Sequence, residues 1–391
     1  MDTPTKSYVP ILRWRLAEMT ALEKLFPDDR QKVTPLVEFI MPAPTTDPND
    51  RRKVIEKPRE KFLRRLPETA KKLLKFCGRS SIFVDVHLLD GDIRASSFKQ
   101  ILESSSALDI FSIPVVYIIP VTSTSADMDT RAVAVKYAKS SGHGLCLRID
   151  RAHLEEKDMP ARIMEFVKIN ALDIKNVDLL VDLQIVDGGA SADDIAEQLA
   201  RLPELTKWRS FVVSGGAFPK DLTELEVFGT HPLSRLDWIL WNALRDSKKL
   251  SRVPTYSDYT VQHPVFYGYI PGASVSASVR YADDGQWQVF RGQALGYINK
   301  KPGQKGPGHK QSLGYARALV GQSFYKGETY SFGDAEIKRM ADTSNQKTGN
   351  PQKWLSIAIN HHVTLAARQT ANPVENTGGR SARIPSTVLS R

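Results

Sequence analysis

Cysteine is almost missing: the chain of 391 residues has two, Cys77 and Cys146. Both sit in apolar surroundings, with no CxxC pair and no Cys/His cluster of zinc-finger spacing. A disulfide framework and a thiolate metal centre are therefore not expected, and the two residues read as buried thiols in a reducing cytosol. Long apolar runs are missing as well. The strongest, residues 113–121, is about half of the ~20 residues a bilayer crossing needs. No cationic segment followed by an apolar core opens the chain, so no signal peptide is expected. The first strand-to-helix turn, LRWRLAEM, holds no glycine, which argues against a dinucleotide-binding doubly wound sheet. No internal repeat stands out. These absences leave a soluble, cytoplasmic protein without a membrane partner. Its 41% hydrophobic and 25% charged residues suit a core that needs no covalent staples.

What is present is an alternation. Short apolar runs at residues 8–15, 34–40, 81–89, 113–122, 144–150, 176–189, 211–216 and 255–261 read as eight strands. Helical patterns follow at 17–26, 98–108, 127–139, 160–172, 192–202 and 232–244, and the basic stretch 51–79 carries an apolar stripe with Pro67 as a kink or a new start. One face of the strands is nearly unbroken Val, Ile and Leu, as in parallel strands covered by helices. Eight such units predict an α/β fold, a (β/α)8 TIM-like barrel over residues 1–263. From 264 to 370 the texture changes to a β-hairpin (274–281 and 287–292 around ADDGQ) and helices at 312–321, 332–342 and 351–369. This extension is expected to lie over or beside the barrel mouth. Residues 297–310 read as a Gly/Lys loop, and 371–391 as a disordered tail.

The other face of the strands turns polar toward the C-terminal ends, with Arg13, Arg15, Glu38, Asp85, His87, Arg148, Asp150, Asp182, Gln184 and Ser214. Barrel enzymes place their chemistry at that end. Buried charges there must pair with one another, with a ligand or with water. Glu38, Asp85 and Asp182 are candidate ligands for a divalent cation, Mg or Mn. His87, with Asp85 and Asp182, is the candidate catalytic set, the imidazole handling protons. Arg13, Arg15 and Arg148 suit a phosphate, with Asp150 and Gln184 beside them. Ser214 opens a Ser-Gly-Gly turn that reads either as a phosphate cradle or as a tight turn. The whole ring can equally be a network that only shapes the barrel mouth. His361 and His362 are adjacent, so they face different ways; one is a candidate for the mouth, the other for packing.

Net charge is +10, and residues 51–79 hold twelve Lys/Arg against three Glu. Such a face attracts polyanions or simply stays solvated.

The opening YVPILRWRLAEMTAL with VTPLVEFI, and the closing SVRY, VFRG, YSFGDAEI and GNPQKW…INHHV, resemble the Beta protein family of phages and of bacterial mobile or defence-associated loci. The resemblance runs from about residue 8 to 365. It implies a phage or anti-phage-defence setting. Through the closing motifs it implies that Arg280, Arg291, Asp334, Asn350, Trp354, His361 and His362 belong to the same functional unit as the barrel. The expected function is recognition of a phosphate-bearing ligand, nucleotide or nucleic acid, with metal-assisted phosphodiester hydrolysis at the mouth. The alternative is a non-catalytic interaction protein whose basic 51–79 face meets a nucleic acid or a protein partner encoded nearby.

Overall fold

Parallel strands that alternate apolar residues on both faces can close on themselves once helices cover the outside, and this chain does so. In a computed structural model, residues 7–50, 53–105, 116–271, 276–296, 307–344 and 347–372 are described. The strands are β1 (Tyr8–Arg13), β2 (Leu36–Glu38), β3 (Ser81–Asp85), β4 (Tyr117–Thr122), β5 (Leu145–Asp150), β6 (Val177–Ile185), β7 (Ser210–Gly216) and β8 (Thr255–Asp258). They form a closed barrel in chain order, β1 pairing in parallel with β2 on one side and β8 on the other. Val9, Ile11, Leu36, Phe83, Cys146, Leu180 and Val212 fill the interior. The opposite residues, such as Leu12, Val37, Val84, Leu147 and Val181, join the large core between strands and helices. Both cysteines are buried and free.

β3 and β8 end earlier than their hydrophobic patterning predicts, at Asp85 and Asp258, and a carboxylate is the reason; β6 bends at Asp182 in the same way. The Oδ1 atoms of Asp85, Asp182 and Asp258 accept the backbone N–H two residues on, from His87, Gln184 and Thr260, at 2.9–3.0 Å. An aspartate that captures its own chain in this way turns it out of the sheet. Gln184 (φ 55°) and Thr260 (φ 60°) take the left-handed conformation, and the β6–β7 register shifts between Asp182 and Ile185. The repeated Asp-x-polar grammar is therefore turn chemistry at equivalent strand ends.

One expected element is corrected. Residues 232–244 do not form a single helix: Thr230–Ser234 is a strand, and the helix runs Leu236–Asp246. That strand pairs antiparallel with β10 (Gln286–Ala294), which pairs with β9 (Ser276–Asp283). The expected hairpin thus becomes a three-stranded sheet, with Pro232 on its edge strand, where a missing N–H costs least. In the basic stretch, Pro67 sits in a 3-10 turn between helices Pro58–Arg65 and Thr69–Cys77. The tail from 373, the loop at 297–306 and the outer ends of the elements expected at 98–108, 113–122 and 274–281 lie outside the described residues.

The long last helix, Pro351–Ala371, is not an appendage. Its Asn360 donates to Ala21 O on the helix after β1 (2.9 Å), its Arg368 pairs with Asp29 (2.8 Å), and its His362 reaches Asp258 on β8 (2.7 Å). It takes the eighth position in the helical layer; β9, β10 and two helices, Gln311–Val320 and Phe332–Ala341, are inserted between β8 and it, and the sheet's edge strand Thr230–Ser234 comes from before β8. The insertion has a core of its own, with Tyr281, Phe290, Leu319, Ile337 and Ile357. Gly333 lets its helix cross the last one closely, since a Cβ there would lie 2.5 Å from Ile357 O. Among the described residues no helix is long and apolar enough to cross a membrane.

Candidate functional site

The inward polar residues meet where the alternation places them, at the C-terminal ends of the strands. Their centre is Arg148 on β5. Its Nη1 donates to Glu38 Oε1 (2.9 Å) and Asp85 Oδ2 (2.7 Å); its Nη2 donates to Asp182 Oδ2 (2.6 Å) and Tyr259 Oη (2.9 Å). Tyr259 in turn donates to Asp182 Oδ2 (2.7 Å). All of these groups are buried. Burial alone would raise the Asp85 carboxyl, but the charges of His87 and Arg148 hold it well below the usual carboxylate range. The three carboxylates expected to share a divalent cation do converge, and the cation they share is a guanidinium. Among the described residues no group of three or more His, Cys, Asp or Glu side chains is arranged to hold a metal ion.

Arg148 and Tyr259 divide the mouth into two openings. One is a chamber of about 230 Å³ lined by Asp85, His87, Arg94, Asp150, Asp182 and Gln184, among others. His87 is its chemically distinctive group. Its Nδ1 lies 3.0 Å from Asp85 Oδ1 and 3.4 Å from Arg148 Nη1, its Nε2 has only Glu38, at 3.9 Å, among the described residues, and its side chain is 47% exposed. Burial pulls the imidazole pKa down, but the Asp85 carboxylate outweighs it and the net direction is up. Asp150 is largely committed elsewhere: it caps the helix Arg151–Glu155 through His153 N–H (2.9 Å). Arg94 is paired with Asp127 at 3.0 Å.

The second opening is a cleft of about 430 Å³ between the ends of β1 and β8, the inserted sheet and the start of the last helix. Six basic residues line it, Arg13, Arg15, Lys220, His263, Arg280 and His309, with one carboxylate, Asp221. Arg13 is buried; its Nη2 donates to His263 O (2.9 Å) and Pro264 O (2.6 Å), it lies 3.8 Å from Glu38, and its Nε has no hydrogen-bond partner. Arg15 is held by Glu18 and Gln262. Arg280 donates to Val261 O (2.7 Å) and lies over the Phe218 ring at 4.6 Å. No carboxylate pairs with it among the described residues, and burial followed by the charge of Arg15 pulls its pKa down to about 10.

Several expected site residues lie elsewhere. Ser214 is fully buried on β7 with an unpartnered hydroxyl and lines neither opening. The two glycines after it answer to close packing, since Cβ atoms there would lie 2.5 Å from Val186 and 3.1 Å from Tyr259 and Pro264. Arg291 bonds Thr223 O (2.9 Å) and Leu225 O on the inserted sheet, away from the mouth. Neither histidine of the last helix reaches the mouth. His361 is buried between Asp334 and Ala282 O, both at 2.8 Å. His362 is buried between Asp258 and Trp287. Asp334 is buried, its carboxylate meeting Tyr281 Oη and His361 Nδ1 at 2.8 Å while its N–H donates to the helix cap Ser331; Asn350 caps the last helix, and Trp354 lines the cleft. Tyr259, Lys220, His263 and Tyr267 are site residues that strand patterning did not single out. The run QHPVFYGYI just after β8 was the available signal, being rich in rings directly beyond a strand end. On the basic face, Arg64 pairs with Glu56 and Lys72 with Glu68, each at 2.7 Å, and Arg59 pairs with Asp92.

A family model described as Beta protein matches residues 8–368, nearly the whole chain. No curated protein and no solved structure matches it.

Proposed function

The chain belongs to the Beta protein family, and we propose that it is a receptor for a phosphate-bearing ligand, held in the cationic cleft beside the barrel mouth. The observation that carries this reading is Arg280. It is a half-buried guanidinium without a carboxylate among the described residues, facing the like charge of Arg15 across a cleft that Arg13 also lines. Like charges gathered at a concave surface are stabilised by an anion between them, and arginine presents a planar fork to phosphate oxygens. The carboxylates of the neighbouring ring are turned toward Arg148, which bonds all three, and Arg13 also lies 3.8 Å from Glu38. The phage or anti-phage setting implied by the resemblance stays with this proposal, as does contact with a partner through the 51–79 face.

Arg280→Gln is expected to weaken pyrophosphate binding at least tenfold in isothermal titration calorimetry, since one charge-assisted hydrogen bond contributes ~1.5–3 kcal/mol. Arg291→Gln should leave affinity unchanged, and wild-type affinity should fall as salt rises. Equal binding by wild type and Arg280→Gln would remove the cleft as the site.

A second reading has its own support: the chamber suits proton transfer. An imidazole oriented by a carboxylate at Nδ1, with Nε2 free of hydrogen bonds, is the arrangement of a general acid or base. Because its pKa is raised, His87 holds its proton to higher pH than ordinary histidine. Its NMR titration midpoint is expected above the ordinary value of ~6.5, and Asp85→Asn should lower it. A midpoint at or below that of a free histidine would end this reading.

A further inference from the structure

We infer that the ligand of the cleft is a nucleotide, its phosphate at the arginine end and its base stacked on Tyr267. The inference rests on the phosphate-receptor reading and concerns what the rest of the cleft is for. Inorganic phosphate would occupy only a small part of a volume of about 430 Å³, and pockets of that size hold small organic ligands. The cleft is also two-sided. Beyond the arginines its wall is apolar and aromatic, with Val265, Phe266, Tyr267, Leu295, Trp354 and Leu355.

Tyr267 is the exposed ring on that wall, with the His263 ring beside it at 5.7 Å between centroids. It is 48% exposed, whereas Trp354 is 5% exposed and donates its Nε1–H to Thr348 O at 2.9 Å. Phe266 lies under the Arg13 guanidinium at 5.3 Å. Lys220 approaches the Tyr267 ring at 4.1 Å, so cation and ring form one surface at the cleft's edge. A nucleotide offers the π-face of its base to such a ring and its phosphate to the cations beyond it, the pairing that single-nucleotide and single-strand sites use. The ring is also held in place. Arg13 binds the carbonyls of His263 and Pro264, fixing the start of the segment that presents Tyr267. One arginine thus sets both the charge at one end and the stacking platform at the other. A sugar phosphate or pyrophosphate alone would leave the platform uncovered.

The test is calorimetry on the full chain with pyrophosphate, with the four ribonucleosides, and with the four ribonucleoside diphosphates. At least one diphosphate is expected to bind about tenfold or more tightly than pyrophosphate. Tyr267→Ala should abolish that gain and leave pyrophosphate affinity intact; Tyr267→Phe should keep the gain. Competition with a 5′-phosphorylated single-stranded oligonucleotide identifies the source. Stronger competition than by the matching mononucleotide places the nucleotide at a nucleic-acid end, weaker competition makes it free, and both support the assignment. If every nucleoside diphosphate binds only as tightly as pyrophosphate, the nucleotide assignment is overturned while the phosphate receptor stands. If pyrophosphate itself does not bind, both fall.

Discussion

Arg148→Ala is expected to destabilise the protein by about 3–5 kcal/mol at pH 7, the range for removing one partner of a buried ion pair. The upper end is the better expectation, because three carboxylates, Glu38, Asp85 and Asp182, lose the same guanidinium at once. The effect has a pH signature. In the wild type Asp85 is held below its ordinary value, so its contribution is present above the unfolded carboxylate pKa and is lost as pH falls through the folded one. Without Arg148 the depression of Asp85 is smaller, because only His87 and its backbone N–H still hold the carboxylate charge. The variant's stability therefore falls less than that of the wild type as pH drops. The gap between variant and wild type, read from urea denaturation, should narrow between pH 7 and pH 4. A quadruple variant, Arg148→Met with Glu38→Gln, Asp85→Asn and Asp182→Asn, should recover much of the loss, because the three carboxylates that lost their guanidinium are then neutral amides. A change below 1 kcal/mol in Arg148→Ala at pH 7 would mean that the ring is not held as described.

The second large effect is expected on the opposite face of the barrel wall. Asp258, on β8, is fully buried and accepts from Tyr8 Oη (2.5 Å), Tyr256 Oη (2.8 Å), His362 Nε2 (2.7 Å) and its own chain at Thr260 (3.0 Å). Trp287 Nε1–H points at His362 Nδ1 (3.4 Å), which leaves Nε2 as the proton-bearing nitrogen. Burial lowers the pKa of this histidine, in keeping with a neutral ring. The cation in the cluster is Arg235, also fully buried. Burial, and then the charge of Asp258, push the neighbouring Asp237 up to about 7. Asp258→Ala would leave Tyr8 Oη, His362 Nε2 and the Thr260 N–H without this acceptor, while Tyr256 keeps Asp237 and Asp237 stays beside Arg235. A loss of about 3–5 kcal/mol is expected. The loss should appear as undocking of the last helix, since His362 is its contact with β8. Hydrogen exchange should then show amides of residues 351–371 opening below the global unfolding free energy. Uniform exchange across the chain, with a stability loss under 1 kcal/mol, would contradict this.

Much of this was legible in the chain. Alternation along Tyr8–Arg13 or Leu145–Asp150 places Arg13 and Arg148 inward and Leu12 and Leu147 outward, because successive side chains of a strand point to opposite faces. Eight such segments separated by helices determine a barrel, and the polar ends of the strands locate its mouth. The adjacent histidines, 100° apart on a helix, had to face different partners, and they do.

Other features were decided only by closure. Sequence patterning left open whether Asp85, Asp182 and Glu38 hold a cation or pair within the ring, because it cannot know that the tip of Arg148 reaches all three; that depends on the barrel's diameter and register. It treated the chain after residue 263 as an addition, whereas docking on β1 and β8 makes Pro351–Ala371 the eighth helix. The cleft joins Arg13, Lys220, Tyr267 and Arg280, which lie on four separate segments. Local periodicity reports which face a side chain takes. Which charge it meets across that face is a long-range distance, set when the barrel closes and the last helix docks.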